Sequence, residues 1–546
     1  MDSIIDHRIE AIVPFSQAQG GGKSGSSPCD HLFLLRAVMT ISEKRKAPVF
    51  LTFWDVSKAY DHVDNSDLLV TMWDNGLRGR VWRLLKELNS NLTAEVKTRY
   101  GPTREIEMQI GGKQGSRLTG RMFSKMMDLL TEELEQKGIK ITEEFFLAVL
   151  LWVDDVISFA EGEEDQREIL QIINNFAIKH KIQWGQAKCK VMRIGKHKEN
   201  NQQWRAGDMV IEETDRYKYL GDVITNDGKN KENILTRKIN IQSNTAIINS
   251  IASSEALYRI ETAVLLDMHE KKNIASLLNN AEAWMLNKGE EDDIEKVEIQ
   301  ALKSLFSLPL HTPTAAIIYT FGTLFTKQRI DQKMLIYLHK LLNKDDDRWL
   351  KQALSTLCSL NAGWYKKIIS LLEEYELLTD FNEIKKLTEA GWRSQVIRKI
   401  EKANKERLIQ SCYKTVDGVQ TPKTKTQHMA RELDRREYIR APDNIILKTT
   451  KSEAKTIIMA RYGMLQCGKN FKGTDEIKCK SCDVIDDENH RLNYCTQWKD
   501  INLLNSDITI DFQNVFSNDI ETLRMIIPYI QKVWNVKNAN GTMHTE

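Results

Sequence analysis

Proline is scarce in this chain, nine residues in 546. Glycine clusters are few as well, which excludes long Pro/Gly-rich linkers and predicts a largely helical protein. Net charge is nearly absent. The formal value is +2 and the sequence pI is about 8.0, so whole-chain electrostatics neither demand nor exclude a nucleic-acid partner; local patches must decide. Long apolar runs are missing: the stretch 145–153 has about half the length that crosses a bilayer. The first residues, Met1-Asp-Ser-Ile-Ile-Asp-His-Arg8, carry no basic n-region and no long apolar core, so no signal peptide and no membrane partner are expected. A disulfide framework is absent too. Five of the eight cysteines are scattered (29, 189, 358, 412, 467) and three cluster (479, 482, 495), a usage that suits a reducing, intracellular compartment. Oligomeric state leaves no trace in the sequence.

What is present is core-forming material. Hydrophobic residues make up 41% of the chain, enough for large cores, and its 546 residues allow roughly three or four domains. A Gly/Ser-rich loop at 17–27 precedes a helix with Leu32, Leu35, Val38 and Met39 on one face. Apolar segment 48–54 predicts a strand running into a helix near Ser57. Helices are expected over 63–95, a strand pair over 93–99 and 105–110, and a helix over 119–137. Residues 145–160 predict a hairpin, followed by a helix over 163–180, a strand near 189–194 and short strands around Tyr217–Val223. From 230 to 465 nearly every periodic segment is helical, and the composition shift at 226–232 is the best domain boundary.

Asp154-Asp155 ends one of the most apolar stretches, Phe145-Phe-Leu-Ala-Val-Leu-Leu-Trp-Val153. A buried strand that ends in two acids needs a cation, commonly a divalent metal. Asp55 ends a second apolar strand, Val49-Phe-Leu-Thr-Phe-Trp54. Two strands delivering carboxylates to one place make a two-metal phosphoryl-transfer site, which points to a nucleic-acid polymerase. Taken alone, Asp55 reads more readily as a helix N-cap than as a metal ligand. Gly22-Lys23-Ser24 imitates the end of a P-loop, but the glycine required five residues earlier is Gln17, so a nucleotide hydrolase is excluded. Near the C-terminus, Cys479-x2-Cys482-x7-His490-x4-Cys495 offers three thiolates and an imidazole at gaps that suit one tetrahedral, structural Zn²⁺. Lys478, Lys480, Arg491, Tyr494 and Trp498 put charge and stacking surface beside it. Over 391–440 basic residues outnumber acidic ones by about two to one, as in a phosphate-tracking face or a solvated helix.

Taken in order, Asp55-x-x-Lys58-Ala59-Tyr60-Asp61, Gln114-Gly115, Asp154-Asp155, Lys188 and Tyr219-Leu220-Gly221 follow the order and spacing of reverse transcriptase motifs. Over about residues 17–225 the chain resembles the reverse transcriptase of non-LTR (LINE-type) retrotransposons, with a weaker likeness continuing to the cysteine cluster. The resemblance implies an α+β fold. It comprises a right-hand polymerase palm (48–226) with partial fingers (1–47), a helical thumb (227–345), a helical connector (346–466), and a CCHC zinc knuckle with its tail (467–546). It implies that Asp55 and Asp154 hold two Mg²⁺ ions and that Asp155 supports them. One ion activates the primer 3′-hydroxyl and the other takes charge on the departing pyrophosphate. Tyr60 matches the steric gate against a 2′-hydroxyl, with plain helix packing as the alternative. Gln114-Gly115 matches the loop that approaches template and nucleotide. Lys188 matches the lysine near pyrophosphate, where it neutralises charge or donates a proton; a surface lysine is the alternative. Tyr219-Leu220-Gly221 matches the primer grip, and Lys23 the template-approaching position of the finger loop.

Four positions depart from the family pattern. Thr119-Gly120 replaces Ser-Pro, Trp152 replaces Tyr or Phe, and Gly185 replaces Asn. The resemblance also implies that upstream finger strands and an N-terminal endonuclease have no counterpart here. The expected activity is RNA-directed DNA polymerisation with an RNA template, a DNA primer and dNTPs, in a nuclear protein with a cytoplasmic phase. The alternative is an inactive, retrotransposon-derived nucleic-acid-binding protein. An RNA-copying polymerase that makes RNA is disfavoured by Tyr60 and the cysteine cluster.

Overall fold

The computed structural model describes residues 2–57, 59, 63–90, 93–107, 110–112, 116–195, 203–252, 260–416, 419–423, 426, 429, 430, 433, 444–465, 467, 478–498, 512–517 and 519–535. The first part runs α1 (Asp2–Ile12), α2 (Pro28–Arg45), β1 (Val49–Asp55), α3 (Asn65–Asp74) and α4 (Gly79–Leu88). Four short strands follow, β2 (Thr93–Ala94), β3 (Lys97–Thr98), β4 (Gly101–Pro102) and β5 (Ile106–Glu107). Then come α5 (Arg117–Asp128), β6 (Ile139–Lys140), β7 (Phe146–Leu147), β8 (Val149–Trp152), β9 (Asp155–Glu161) and α6 (Glu163–Lys179). The remaining strands are β10 (Lys190–Ile194), β11 (Trp204–Ala206), β12 (Met209–Glu213), β13 (Arg216–Tyr219) and β14 (Asp222–Thr225).

Among the described residues the main sheet has six strands in the order β11-β12-β10-β1-β9-β8. All neighbours are antiparallel except β10 and β12, which pair in parallel. Strand alternation sends successive side chains to opposite faces, so a sheet covered on both sides reads as a continuous apolar run. β1 shows this directly. Val49, Leu51 and Phe53 enter one core with α2, while Phe50 and Trp54 enter another with α1, α3, α5 and α6. The polar groups that β1 buries are paired with neighbours: Gln166 Nε2 donates to Thr52 Oγ1 at 2.7 Å, and Trp54 Nε1 to Ser158 Oγ at 3.0 Å.

The helical part contains α7 (Lys231–Ala252), α8 (Lys288–Leu305), α9 (Thr326–Leu342), α10 (Trp349–Ser359), α11 (Gly363–Glu374) and α12 (Glu389–Cys412). The first core does not stop at the composition shift near 226–232. It runs from Cys29 through the sheet to Ile400, with α2 wedged between the sheet and the helices. Buried polar ties cross the same junction. Lys340 Nζ and Tyr337 Oη donate to Asp30, and Arg36 Nη2 donates to Asn230 Oδ1 at 2.8 Å. A third core joins α7, the segment 302–325 and residues 408–464. A small fourth core joins α13 (Lys451–Arg461), Leu492 and α14 (Ile520–Asn535).

The fold class read from the sequence, a mixed sheet followed by helices and a Cys/His cluster, is the one observed. Several elements differ. The edge strands β11 and β12 were not expected from the sequence. The helix expected over 119–137 comes as α5 and a separate turn, Leu130–Glu133. The expected helical connector is interrupted by a hairpin, β15 (Tyr413–Val416) and β16 (Val419–Pro422). Its sequence carries β-branched residues on both sides of Asp417-Gly418, a hairpin signal that helical periodicity overlooks.

Candidate active site

Asp55 and Asp155 are register partners across β1 and β9, and Trp152 is the partner of Asp155 across β8 and β9. Only Val153 and Asp154 remain to turn the hairpin. Two hydrogen-bonded strands thus bring three carboxylates to one end of the sheet. Like charges directly opposite each other destabilise a sheet. Burial, then Asp154, then Asp55 push the Asp155 carboxyl up to about 6, with Lys188 opposing them. Lys188 Nζ donates to both Asp55 oxygens, at 3.1 and 3.0 Å, and that bond raises the lysine. Its side chain is 70% exposed, so the bridge contributes roughly 0–1 kcal/mol and yields readily. One ammonium against three carboxylates leaves an excess of negative charge, which fits divalent cations.

The loop before β10 is what brings Lys188 here. Gly185 N donates to Asp55 O at 2.8 Å and Ser57 N donates to Gln183 O at 2.8 Å. A Cβ on residue 185 would stand 3.1 Å from Asp55 Oδ2. The departure from asparagine therefore gives a close approach to the acid its space.

The turn itself is strained. Val153 has φ +59°, an outlier for a β-branched residue that costs about 1–3 kcal/mol. The burial of Leu150, Leu151, Val156 and Ile157, at roughly 1.5–3 kcal/mol each, outweighs it. The Gly-rich loop holds the strain in place. Leu151 N donates to Ala18 O and Gly20 N to Leu151 O, both at 2.9 Å. Gln19 Oε1 accepts from Gly21 N at 2.9 Å and from Val153 N at 3.3 Å, and Gln19 Nε2 donates to Ser124 O at 3.2 Å. A Cβ on Gly21 would stand 2.5 Å from Val153 Cγ2, and one on Gly20 2.6 Å from His31 Nε2. These glycines let a backbone strap lie against the turn. Within this strap Lys23 donates to Ser16 O at 2.8 Å. Burial, then Arg348 and Lys344, hold its ammonium below the usual range.

The opposite wall is the β13–β14 hairpin. Tyr217 stacks on Phe53 at 4.1 Å. Leu220 and Gly221 have φ of +46° and +89°, the two-residue turn with both centres left-handed that twisted hairpins favour. Asn280 Nδ2 donates to Leu220 O at 3.0 Å. Asp222 is fully buried and receives Arg237 Nη2 at 2.5 Å and Trp284 Nε1 at 2.7 Å. Tyr219 Oη lies 3.2 Å from His31 Nδ1, which links this turn to α2. Between the walls is an open cleft of about 710 Å³, lined by Asp55, Asp155, Lys188, Tyr217 and, from α7, Leu235 and Ile239.

Asp55, Asp154, Asp155 and Lys188 are therefore brought together, and Tyr219-Leu220-Gly221 forms a tight turn beside them. Tyr60, Gln114 and Gly115 lie outside the described residues. Next to that loop, a Cβ on Gly112 would stand 2.2 Å from Thr119 Cγ2. Helix α5 starts at Arg117 without proline, since Gly120 N donates to Ser116 O at 3.2 Å. Sequence reasoning gave His31 and Tyr217 no role. The loop that holds Gln19 was matched to the family's finger loop, with no sign in the sequence that it supports a strand.

The Cys/His cluster closes as its spacing predicts. The ligand atoms of Cys479, Cys482, His490 and Cys495 all lie within 4.8 Å of one another. The Cys479 and Cys495 sulfurs are 3.7 Å apart; two Zn–S bonds of about 2.3 Å at the tetrahedral angle give about 3.8 Å. His490 Nε2 is buried with no hydrogen-bond partner, as expected of a ligand nitrogen. Thr496 N donates to Cys482 Sγ at 3.2 Å, and contacts with Thr496 hold that thiol below its usual range. Burial pushes Cys495 up to about 11, a thiol that a cation would have to deprotonate.

Residues 1–224 match the family model described as reverse transcriptase (RNA-dependent DNA polymerase). The chain contains a reverse transcriptase domain. Its β1 and β8–β9 acids lie within that span. Among solved structures, telomerase from Candida tropicalis in complex with a telomeric RNA fragment is similar at 12% identity and a TM-score of 0.35, over 72% of this chain and 56% of that one. The corresponding Candida albicans complex is similar at 11% identity and a TM-score of 0.34, over 71% of this chain and 56% of that one. The chain thus spans little more than half the length of these telomerase chains. No helix among the described residues is long and apolar enough to cross a membrane.

Proposed function

We propose that this chain is an RNA-directed DNA polymerase of non-LTR retrotransposon type, extending a DNA primer on an RNA template with dNTPs. The observation that carries the reading is the register of Asp55 against Asp155, with Asp154 on the turn between β8 and β9, inside a domain that matches the reverse transcriptase family. Two Mg²⁺ ions, held by Asp55 and Asp154 and backed by Asp155, would supply activation of the primer hydroxyl and charge uptake on pyrophosphate. In this reading Lys188 leaves Asp55 when the cations bind and turns to the pyrophosphate. The Tyr219-Leu220-Gly221 turn holds the primer end, and Leu235 and Ile239 of α7, 50% and 55% exposed beside the cleft, lie along the duplex. Tyr60 excludes the 2′-hydroxyl, Gln114 and Gly115 approach the nucleotide, and Lys23 supports the loop near the template. The element type rests on the order of the motifs together with the C-terminal Cys/His cluster, which we read as one structural Zn²⁺ site that grips single strands. Retrotransposition implies a nuclear protein with a cytoplasmic phase.

Primer extension on poly(rA)/oligo(dT) tests the reading. Mg²⁺-dependent incorporation of dTTP, lost in Asp154→Ala, is expected. No incorporation, or incorporation that survives Asp154→Ala, contradicts it and favours a non-catalytic nucleic-acid-binding protein.

A further inference from the structure

Strands β2 to β5 form an arm with no core. Every residue from 93 to 107 is exposed except half-buried Gly101. Thr93 pairs with Glu107 and Ala94 with Ile106, and further out Lys97 pairs with Pro102 and Thr98 with Gly101. A two-stranded hairpin standing alone is marginally stable in water. This one keeps its form through local bonds: Thr103 N donates to Val96 O and Val96 N to Thr103 Oγ1, each at 3.0 Å. Its root is tied down, since Gly111 N donates to Val63 O at 2.9 Å, in the segment that follows Asp55.

The tip is chemically distinct from the root. The acids Glu95, Glu105 and Glu107 occupy the root half, whereas Lys97, Arg99 and Tyr100 occupy the distal half, with Arg104 at the boundary. Tyr100 is 85% exposed, and the Arg99 guanidinium lies over its ring at 4.8 Å. Thr98 Oγ1 shapes this tip, accepting from Tyr100 N at 3.2 Å and donating to Gly101 O at 2.8 Å. None of Lys97, Arg99 and Arg104 forms an ion pair among the described residues. An aromatic face presented to water between unpaired cations is what stacks a base while neutralising its phosphates. Strand pairing with a second copy is blocked at this point by Lys97 on one edge and Pro102, which has no N–H to give, on the other.

We propose that the 93–107 arm is a docking element for single-stranded nucleic acid, with Tyr100 stacking one base and Lys97, Arg99 and Arg104 meeting the backbone. The ligand class follows the polymerase reading above, but binding needs no catalysis. The test is fluorescence anisotropy of the full chain, without Mg²⁺ and without a chelator so that the C-terminal Cys/His cluster stays intact, with labelled 20-nucleotide oligo(U) and oligo(dT). Because these side chains are exposed, their replacement leaves the fold intact.

Lys97→Ala/Arg99→Ala/Arg104→Ala is expected to weaken binding at least tenfold and to flatten the log–log salt dependence by about 2, three contacts at ~0.7 each. Tyr100→Ala is expected to weaken it several-fold, with Tyr100→Phe restoring it. Loss for oligo(U) alone identifies RNA as the ligand; loss for both identifies single strands of either sugar. Affinities within twofold of wild type for both strands, an equal loss for blunt duplex, or a change in oligomeric state without a change in strand binding each overturn the proposal. Wild-type primer extension, run in parallel, fails only if the polymerase reading fails.

Discussion

The acid cluster at the end of β1 and the Cys/His cluster near the C-terminus gather similar numbers of ligating groups on very different frames. The acids end strands buried on both faces, in cores that reach from α1 to Ile400. The cysteines and histidine sit on turns and one short π-helical stretch, His490–Tyr494, against a small core around Leu492. In the first case the fold holds the charges together against their repulsion, and a cation would be used there without being needed for folding. In the second, the ligands outweigh the packing, and a cation would be part of the fold.

This contrast is open to direct attack. The largest effect is expected for Asp154→Ala, which should reduce primer extension by on the order of a thousandfold or more while leaving the melting temperature unchanged or slightly higher, since a like charge is removed. A large drop in thermal stability would mean that the acids hold the frame. Next is removal of metal from the C-terminal cluster by a chelator or by His490→Ala. Structural zinc contributes on the order of 10 kcal/mol in small sites, so amide exchange should rise over 478–498 and leave β1 and β9 protected. Uniform exchange in both regions would erase the distinction.

Third, Asp222→Asn strips the charge partner from Arg237 at the junction of β14 and the helices and should cost about 3–5 kcal/mol in denaturant unfolding. Unchanged stability would show that the junction does not depend on this pair. Fourth, burial lowers His31 and His269 to about 4. The unfolded chain titrates near 6.5 and binds more protons between those values, so stability is full above pH 6.5 and falls as pH drops toward 4. His31→Gln should flatten part of that slope; an unaltered slope would contradict neutral burial. The smallest effect is expected for Lys188→Ala, below about 1 kcal/mol in stability, with a loss of primer extension that separates its role from mere charge pairing.

How much of this could be read beforehand depended on distance along the chain. The strands that end in Asp55 and Asp155, the two-residue turn at Tyr219–Asp222 and the spacing of the four zinc-type ligands are local patterns, and they carried the reading. The strap at 18–21 was illegible because its partner, Leu151, is remote, and a glycine run says that a backbone passes close by without saying what it passes. The shared core was hidden for a similar reason. Leu32, Phe33 and Leu35 announce an apolar helix face, but not that helices beyond residue 290 cover it. Gly185 was legible only as a departure from the family's asparagine; that a Cβ there would stand 3.1 Å from Asp55 Oδ2 needed the fold.

Mn²⁺ introduced with template, primer and an incoming nucleotide, and located by anomalous scattering, tests the central claim most directly. Two peaks within ligand distance of Asp55 and Asp154 are predicted, both lost in Asp55→Asn. Peaks elsewhere, or none with the ternary complex bound, would contradict the account.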